Sequence, residues 1–264
     1  MMALAQSNLC YAYSGNETLD NGMAAAERAL SLDPSIAEAH LPRAWHYSVL
    51  GRDSEANADL KIALELNPES WEVNKEAARI VYRQRNLEEA IRLLRKATEI
   101  MESDFSGWGM LAASYLASGD LQGVQHCAQK VIEQVEAVLD RDPDNGAALA
   151  FGSFGFAAQG QKQRSREWLE RALLLDPENL YMRFNLAWPL IVFFKDNEAA
   201  MEILEPVLTG AGANLIRLVA AEHKLDPLRE DPRFQRMLAS ALERVGLPTA
   251  ASRTPAAISS PLGS

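Results

Sequence analysis

Cysteine is nearly missing from this chain of 264 residues, where only Cys10 and Cys127 occur. Two cysteines are too few for a disulfide framework, and with no secretory leader the expected compartment is a reducing cytoplasm. Histidine is as scarce, with four residues. His40 and His46 fall on different helix faces, and His126 points about 100° away from Cys127. Neither pair has metal-ligand spacing, so no metal or other cofactor is expected. Positive charge is short: 26 Lys and Arg stand against 36 Asp and Glu, a net charge of -10. Such a surface repels phosphate chains and excludes general nucleic-acid binding. Long apolar runs are absent too. The longest, Leu186 to Phe194, contains Pro189 and is far shorter than the roughly 20 residues a membrane span needs, so no membrane insertion is expected. No Ser, Cys or His stands in a nucleophile context, and no catalytic residue is expected. The stretch Gly155 to Lys162 has the outline of a phosphate loop but lacks the adjacent Gly-Lys-Ser/Thr.

What is present is a period. With 48% hydrophobic residues the chain can bury a substantial core, and its small and apolar residues recur at fixed steps. Counting Ala37 as position 1 puts Ala44 at 8, Tyr47 at 11, Gly51 at 15, Ala56 at 20, Leu60 at 24, Ala63 at 27 and Pro68 at 32. Pro34 and Pro68 are 34 residues apart, as are Pro143 and Pro177. Two helices per period account for these types: alanines let backbones approach, Gly51 turns the chain in a left-handed conformation, and Pro68 stops the second helix.

These residues resemble the tetratricopeptide (TPR) motif, a helix-turn-helix repeat. The resemblance implies an all-α, right-handed helical solenoid of about six repeats, here 1–36, 37–70, 71–104, 105–145, 146–179 and 180–209. Capping helices are expected over 210–246 and a disordered tail over 247–264. Met1 to Tyr13 reads as the first helix of repeat one, with Tyr11 and Gly15 in place. No polar cap precedes it, so the chain reads as a piece of a longer parent or as starting from a gene start placed late. In repeat three Glu102 replaces the closing proline. In repeat four Pro143 arrives seven residues late, close to two helical turns, which predicts one long helix from Leu121 to Asp140. Pro189 is expected to kink the first helix of repeat six.

Two further helices are expected at Leu215 to His223 and Pro232 to Val245. The stripe Phe234, Met237, Leu238, Ala241, Leu242 and Val245 should close the stack on the second helix of repeat six; the alternative is that it enters the groove. The stretches Arg183 to Ala187 and Leu225 to Phe234 (LDPLREDPRF) make the chain similar to the C-terminal TPR region of bacterial adenylate or guanylate cyclase-like signalling proteins. That similarity implies an upstream effector domain and carries over no catalytic residue.

In TPR proteins the first helix of each repeat lines a concave groove, at positions 2, 5, 6, 9, 12 and 13. In repeat three this gives a basic stripe, Lys75, Arg79 and Arg83, with Tyr82 beside it and Glu72 and Glu76 as the i,i+3 counterions. Further along it gives Met110, Phe151, Phe154, Tyr181, Phe184 and Trp188, a change from charged to aromatic. These residues are the expected partner-binding groove of a non-catalytic protein-interaction scaffold whose partner is a protein or peptide. The bland alternative is that neighbouring helices, or the C-terminal segment folding back, already bury them.

Overall fold

The computed structural model describes residues 19–248; the helix expected at Met1 to Tyr13, the turn at Gly15 and the tail from residue 249 lie outside the described residues. Among the described residues there are thirteen α-helices and no strand. Helix α1 (Leu19–Leu32) is followed by five helix pairs: α2 (Ala37–Val49) with α3 (Asp53–Leu66), α4 (Trp71–Arg83) with α5 (Leu87–Ile100), α6 (Phe105–Ser118) with α7 (Leu121–Leu139), α8 (Gly146–Ala158) with α9 (Lys162–Leu175), and α10 (Leu180–Pro189) with α11 (Asn197–Gly210). Helices α12 (Ala213–Ala221) and α13 (Pro232–Arg244) complete the chain. Each first helix packs on its partner and on the first helix of the next repeat, so α2, α4, α6, α8 and α10 form one continuous inner layer. The protein is a TPR-like helical solenoid. Among the described residues no helix is long and apolar enough to cross a membrane.

The helix ends are written locally. Ser70, Asn86, Asp104, Asp120, Asn145, Asn179, Asp196 and Asp231 each accept a backbone N–H of the first turn they precede. Between the helices of a pair the chain passes through a left-handed residue, at Gly51 (φ 74), Gly119 (φ 83) and Gly160 (φ 73). Repeat three uses Arg85 (φ 62) at the same position, without the steric relief of glycine. The alanines at the close-contact positions, Ala44, Ala56, Ala63, Ala78, Ala90 and Ala112, are fully buried.

A second device recurs at each corner between repeats, where a carbonyl at or beside the closing-proline position accepts a side-chain donor. Pro34 O accepts from His40 Nε2 at 2.9 Å, Pro68 O from Asn74 Nδ2 at 2.8 Å, Glu102 O from Trp108 Nε1 at 2.8 Å and Pro177 O from Arg183 Nε at 2.8 Å. All four donors stand at position 4 of their repeat. Leu149 occupies position 4 in repeat five and has no donor to offer; Arg171 reaches Pro143 O instead, at 2.7 Å. Glu102 in place of proline therefore leaves α5 ending where its counterparts end, because the Trp108 indole fixes the corner.

Two repeats depart from the period. Helix α7 has 19 residues against 14 in α5, and Val124, Cys127, Ala128, Val131, Ile132 and Val135 keep its apolar face inward throughout. Repeat six has one residue more than the period allows in its first helix. Helix α10 ends at Pro189, a π-turn over Leu190–Phe194 absorbs the extra residue, and the left-handed corner falls at Lys195 (φ 54).

The C-terminal segment goes to two places. Helix α13 lies on α11, with Phe234 and Ala241 buried. Arg233 makes a bidentate pair with Glu198, both contacts at 2.9 Å, and Arg244 donates to Leu208 O and Ala211 O. Helix α12 and the 3-10 turn His223–Leu228 run to the concave side, where α12 meets α2 and the turn meets the π-turn after α10.

Two expectations follow. Gly51→Ala should lower stability by about 1–2 kcal/mol because a Cβ is strained at positive φ and nothing else lies nearby, whereas Arg85→Ala should be nearly neutral, its strain being already present; equal shifts in denaturation midpoint would contradict this. Asp59, 3% exposed, is opposed by burial but held by two Arg43 hydrogen bonds at 2.7 Å and by His40 at 3.1 Å, which leave its pKa below the usual carboxylate value. Its contribution is present above the unfolded carboxylate pKa and disappears as pH falls through the lower folded value. Asp59→Asn should therefore cost about 3–5 kcal/mol at neutral pH, with the gap to the unaltered protein narrowing below about pH 4 in urea titrations.

Candidate functional site

The concave face begins on α4. Lys75 does not pair with Glu72; its ammonium reaches across to α6, 2.8 Å from Asp104 and 3.1 Å from Ser106 Oγ, with the Trp71 ring beneath it at 4.3 Å. It is an inter-repeat tie. Arg79 pairs with Glu76 at 2.6 Å, as the spacing predicts, and stacks on Trp45 of α2 at 4.1 Å. Arg83 lies over the same indole at 5.4 Å and donates to Ser48 Oγ at 3.4 Å. Burial, together with the Arg79 cation, lowers the Arg83 pKa, partly offset by Glu222. Of the basic stripe Lys75, Arg79 and Arg83 expected from spacing, Arg79 keeps its Glu76 counterion while Lys75 pairs with Asp104 rather than Glu72, and all three side chains are half-buried.

The aromatic part is tighter still. Phe154, 4% exposed, packs between Trp188 at 4.8 Å and Phe193 at 6.0 Å, and Trp188 and Phe193 lie 5.9 Å apart. Phe151 meets Phe105 at 5.3 Å and lies against Gly109, where an added Cβ would come within 2.6 Å of the ring. Met110, Phe151, Tyr181 and Phe184 are half-buried against the core, while Phe154 and Trp188 are buried. An open apolar patch at Phe154 and Trp188 is therefore replaced by a covered one, because the C-terminal segment and the π-turn close over it. Burial raises the Tyr181 pKa against the opposing charges of Arg79 and Arg83.

Three residues at this site are outside the spacing argument as first applied. Trp45 sits at position 9 of repeat two, a groove position by the same rule that found Arg79. Glu222 and Lys224 come from the C-terminal segment and carry no local signal. Glu222 acts electrostatically on Tyr82 and Arg83, and Lys224 holds its ammonium 5.3 Å from the Tyr82 ring and 4.9 Å from the Trp188 ring. Burial, with Glu222 adding to it, raises the Tyr82 pKa.

The remaining candidates for chemistry are structural. Cys127 is buried, and burial pushes its thiol up to about 12; His126 is exposed, edge-on to Trp108 at 5.9 Å. Gly155 to Lys162 is the end of α8 and its left-handed corner. Among the described residues no group of three or more His, Cys, Asp or Glu is placed to hold a metal ion.

No family model matches the chain. It is 27% identical over 159 residues to Protein O-mannosyl-transferase TMTC1 of Mus musculus, an alignment covering 60% of this chain and 16% of that protein. Among solved structures it is similar to PilF of Pseudomonas aeruginosa, with 17% identity and a TM-score of 0.51, covering 84% of this chain and 98% of PilF. It is also similar to PilW, described as a type IV pilus biogenesis factor, with 17% identity and a TM-score of 0.51 over 86% of this chain and 97% of PilW. Human IFIT1, solved as a dimer with m7Gppp-AAAA, matches at 14% identity and a TM-score of 0.57 over 92% of this chain and 59% of IFIT1. At these identities the similarity establishes the fold.

If Phe154 is core rather than open surface, Phe154→Ala should cost about 3–5 kcal/mol. Met110→Ala, on a half-buried side chain, should cost clearly less; a chemical-denaturation series in which Phe154→Ala is the milder of the two would contradict the packing described.

Proposed function

We propose that this protein is a non-catalytic, cytoplasmic protein-interaction scaffold that holds a short peptide or helix of a partner protein on its concave face. The contact residues would be Arg79, Tyr82, Arg83, Met110, Phe151, Tyr181, Phe184 and Trp188, joined by Trp45, with Phe154 packed beneath Trp188 and Lys75 holding α4 to α6. One observation carries the reading: the concave face already accommodates a short segment, Glu222 to Leu228, engaged through a cation on two aromatic rings and through buried leucines. A surface that fits one segment of chain in this way is suited to another. The capped RNA of the IFIT1 structure is not carried over, since this chain has a net charge of -10 and its groove cations are already engaged.

A second reading makes the array the regulatory or assembly module of a longer, adenylate or guanylate cyclase-like signalling protein with an upstream effector domain. It rests on the stretch Leu225 to Phe234, which joins the groove segment to α13. An in-frame cyclase, kinase or DNA-binding domain upstream of Met1 in the genome would support it, and an in-frame stop codon close before Met1 would remove it.

The scaffold reading is tested by photo-cross-linking in the source cells, with benzoylphenylalanine placed at Phe184 on the concave side or at Leu174, 80% exposed on the outer helix α9. A discrete partner should be captured from position 184 and not from 174, and Arg79→Glu should weaken capture and flatten its dependence on salt. Capture from 174 alone would place the partner on the outer surface and refute the groove.

A further inference from the structure

The groove segment is not what stability alone would select. Leu225 and Leu228 are fully buried, yet Glu222 and Lys224 beside them are charged and half-buried. Charged groups in that setting lose hydration that apolar side chains of similar size would not lose. Their places are specific. The Lys224 ammonium lies near the Tyr82 ring on α4 and the Trp188 ring on α10, so helices of repeats three and six converge on one cation. Two residues earlier, the Glu222 carboxylate accepts the Lys224 backbone N–H at 3.0 Å and lies within electrostatic reach of Arg83. Arg229 holds the turn in shape by donating to Ala220 O at 2.9 Å, Glu222 O at 3.1 Å and Asp226 at 2.8 Å. The groove thus meets an anion that shapes its own turn, then a cation, then two leucines, with two aromatic faces for the cation.

Resting on the scaffold reading above, we propose that Tyr82 and Trp188 form a recognition site for a partner peptide of the pattern Glu-x-Lys-Leu-x-x-Leu, and that the chain's own Glu222–Leu228 occupies this site until such a peptide displaces it. The site selects a lysine-bearing, mixed-charge peptide. A purely acidic peptide lacks the cation that the two rings attract.

The test uses a fluorescein-labelled peptide with the sequence of residues 219–231, titrated against the full chain and against its Lys224→Ala variant. The variant should bind at least about tenfold more tightly than the unaltered chain, because its own segment holds the site less well. Norleucine in place of the peptide's lysine should weaken binding to the variant by about tenfold, and adding Trp188→Leu should do the same. Lys224→Met, which keeps an unbranched apolar stem over the rings, repeats the comparison if Lys224→Ala does not fold. Hydrogen exchange on the unaltered chain needs no variant: excess peptide should speed exchange of the amides of Lys224, Leu225, Asp226 and Leu228. Equal binding to variant and unaltered chain, indifference to norleucine, or unchanged exchange would each overturn the proposal. A partner captured from position 184 that this peptide does not displace would overturn this inference and leave the scaffold reading standing; no capture from 184 with lysine-dependent peptide binding would do the reverse.

Discussion

Stacking in this protein depends on a backbone carbonyl that must find a donor at each corner between repeats. At the part-buried corners each such bond contributes about 0.5–1.5 kcal/mol and fixes the angle at which one repeat enters the next. His40, Asn74, Trp108 and Arg183 supply that donor at the same position with four different chemistries. The constraint is therefore on donor geometry and not on residue identity, and the repeats can diverge in sequence while keeping one spacing. Where Leu149 cannot serve, Arg171 does so from the outer helix.

The layer of first helices was legible because its determinants are local. Ala44, Ala56 and Ala63 are small where backbones touch, and Gly51 is glycine where φ is positive. The long α7 was legible as well, since seven residues return an apolar stripe to the same face. The single extra residue in repeat six was not: nothing between Leu186 and Phe194 marks a π-turn, and the left-handed corner at Lys195 lacks the glycine that would announce it. The candidate site divides in the same way. Position within the repeat placed Arg79, Tyr82, Phe154 and Trp188 on the inner layer, but what covers them is set by a segment far along the chain. The partner of Lys75 is Asp104, the cap of α6 at the far end of the repeat, which i,i+3 spacing toward Glu72 cannot show.

The stretch Leu225 to Phe234 stands out in the sequence because nearly every residue in it has a separate task. Leu225 and Leu228 fill the inside of the groove, Asp226 and Arg229 shape the turn, and Asp231 caps α13 just ahead of Pro232. Arg233 then ties that helix to Glu198 of α11, and Phe234 is buried beside it. A single joint thus sends one half of the segment into the groove and fixes the other to the end of the stack.

The contact of α12 with α2 changes how the molecule should be regarded energetically. A solenoid whose repeats touch only their neighbours melts as a one-dimensional chain, fraying from whichever end is weaker. Here α12, which follows repeat six, binds the second repeat, so repeat two and the segment after repeat six share one free-energy term. Fraying at either end gives up contacts at the other, and repeats three to five are enclosed within a closed loop of interactions. The array thereby gains cooperativity beyond that of repeats that touch only their neighbours, because α12 and the second repeat melt together.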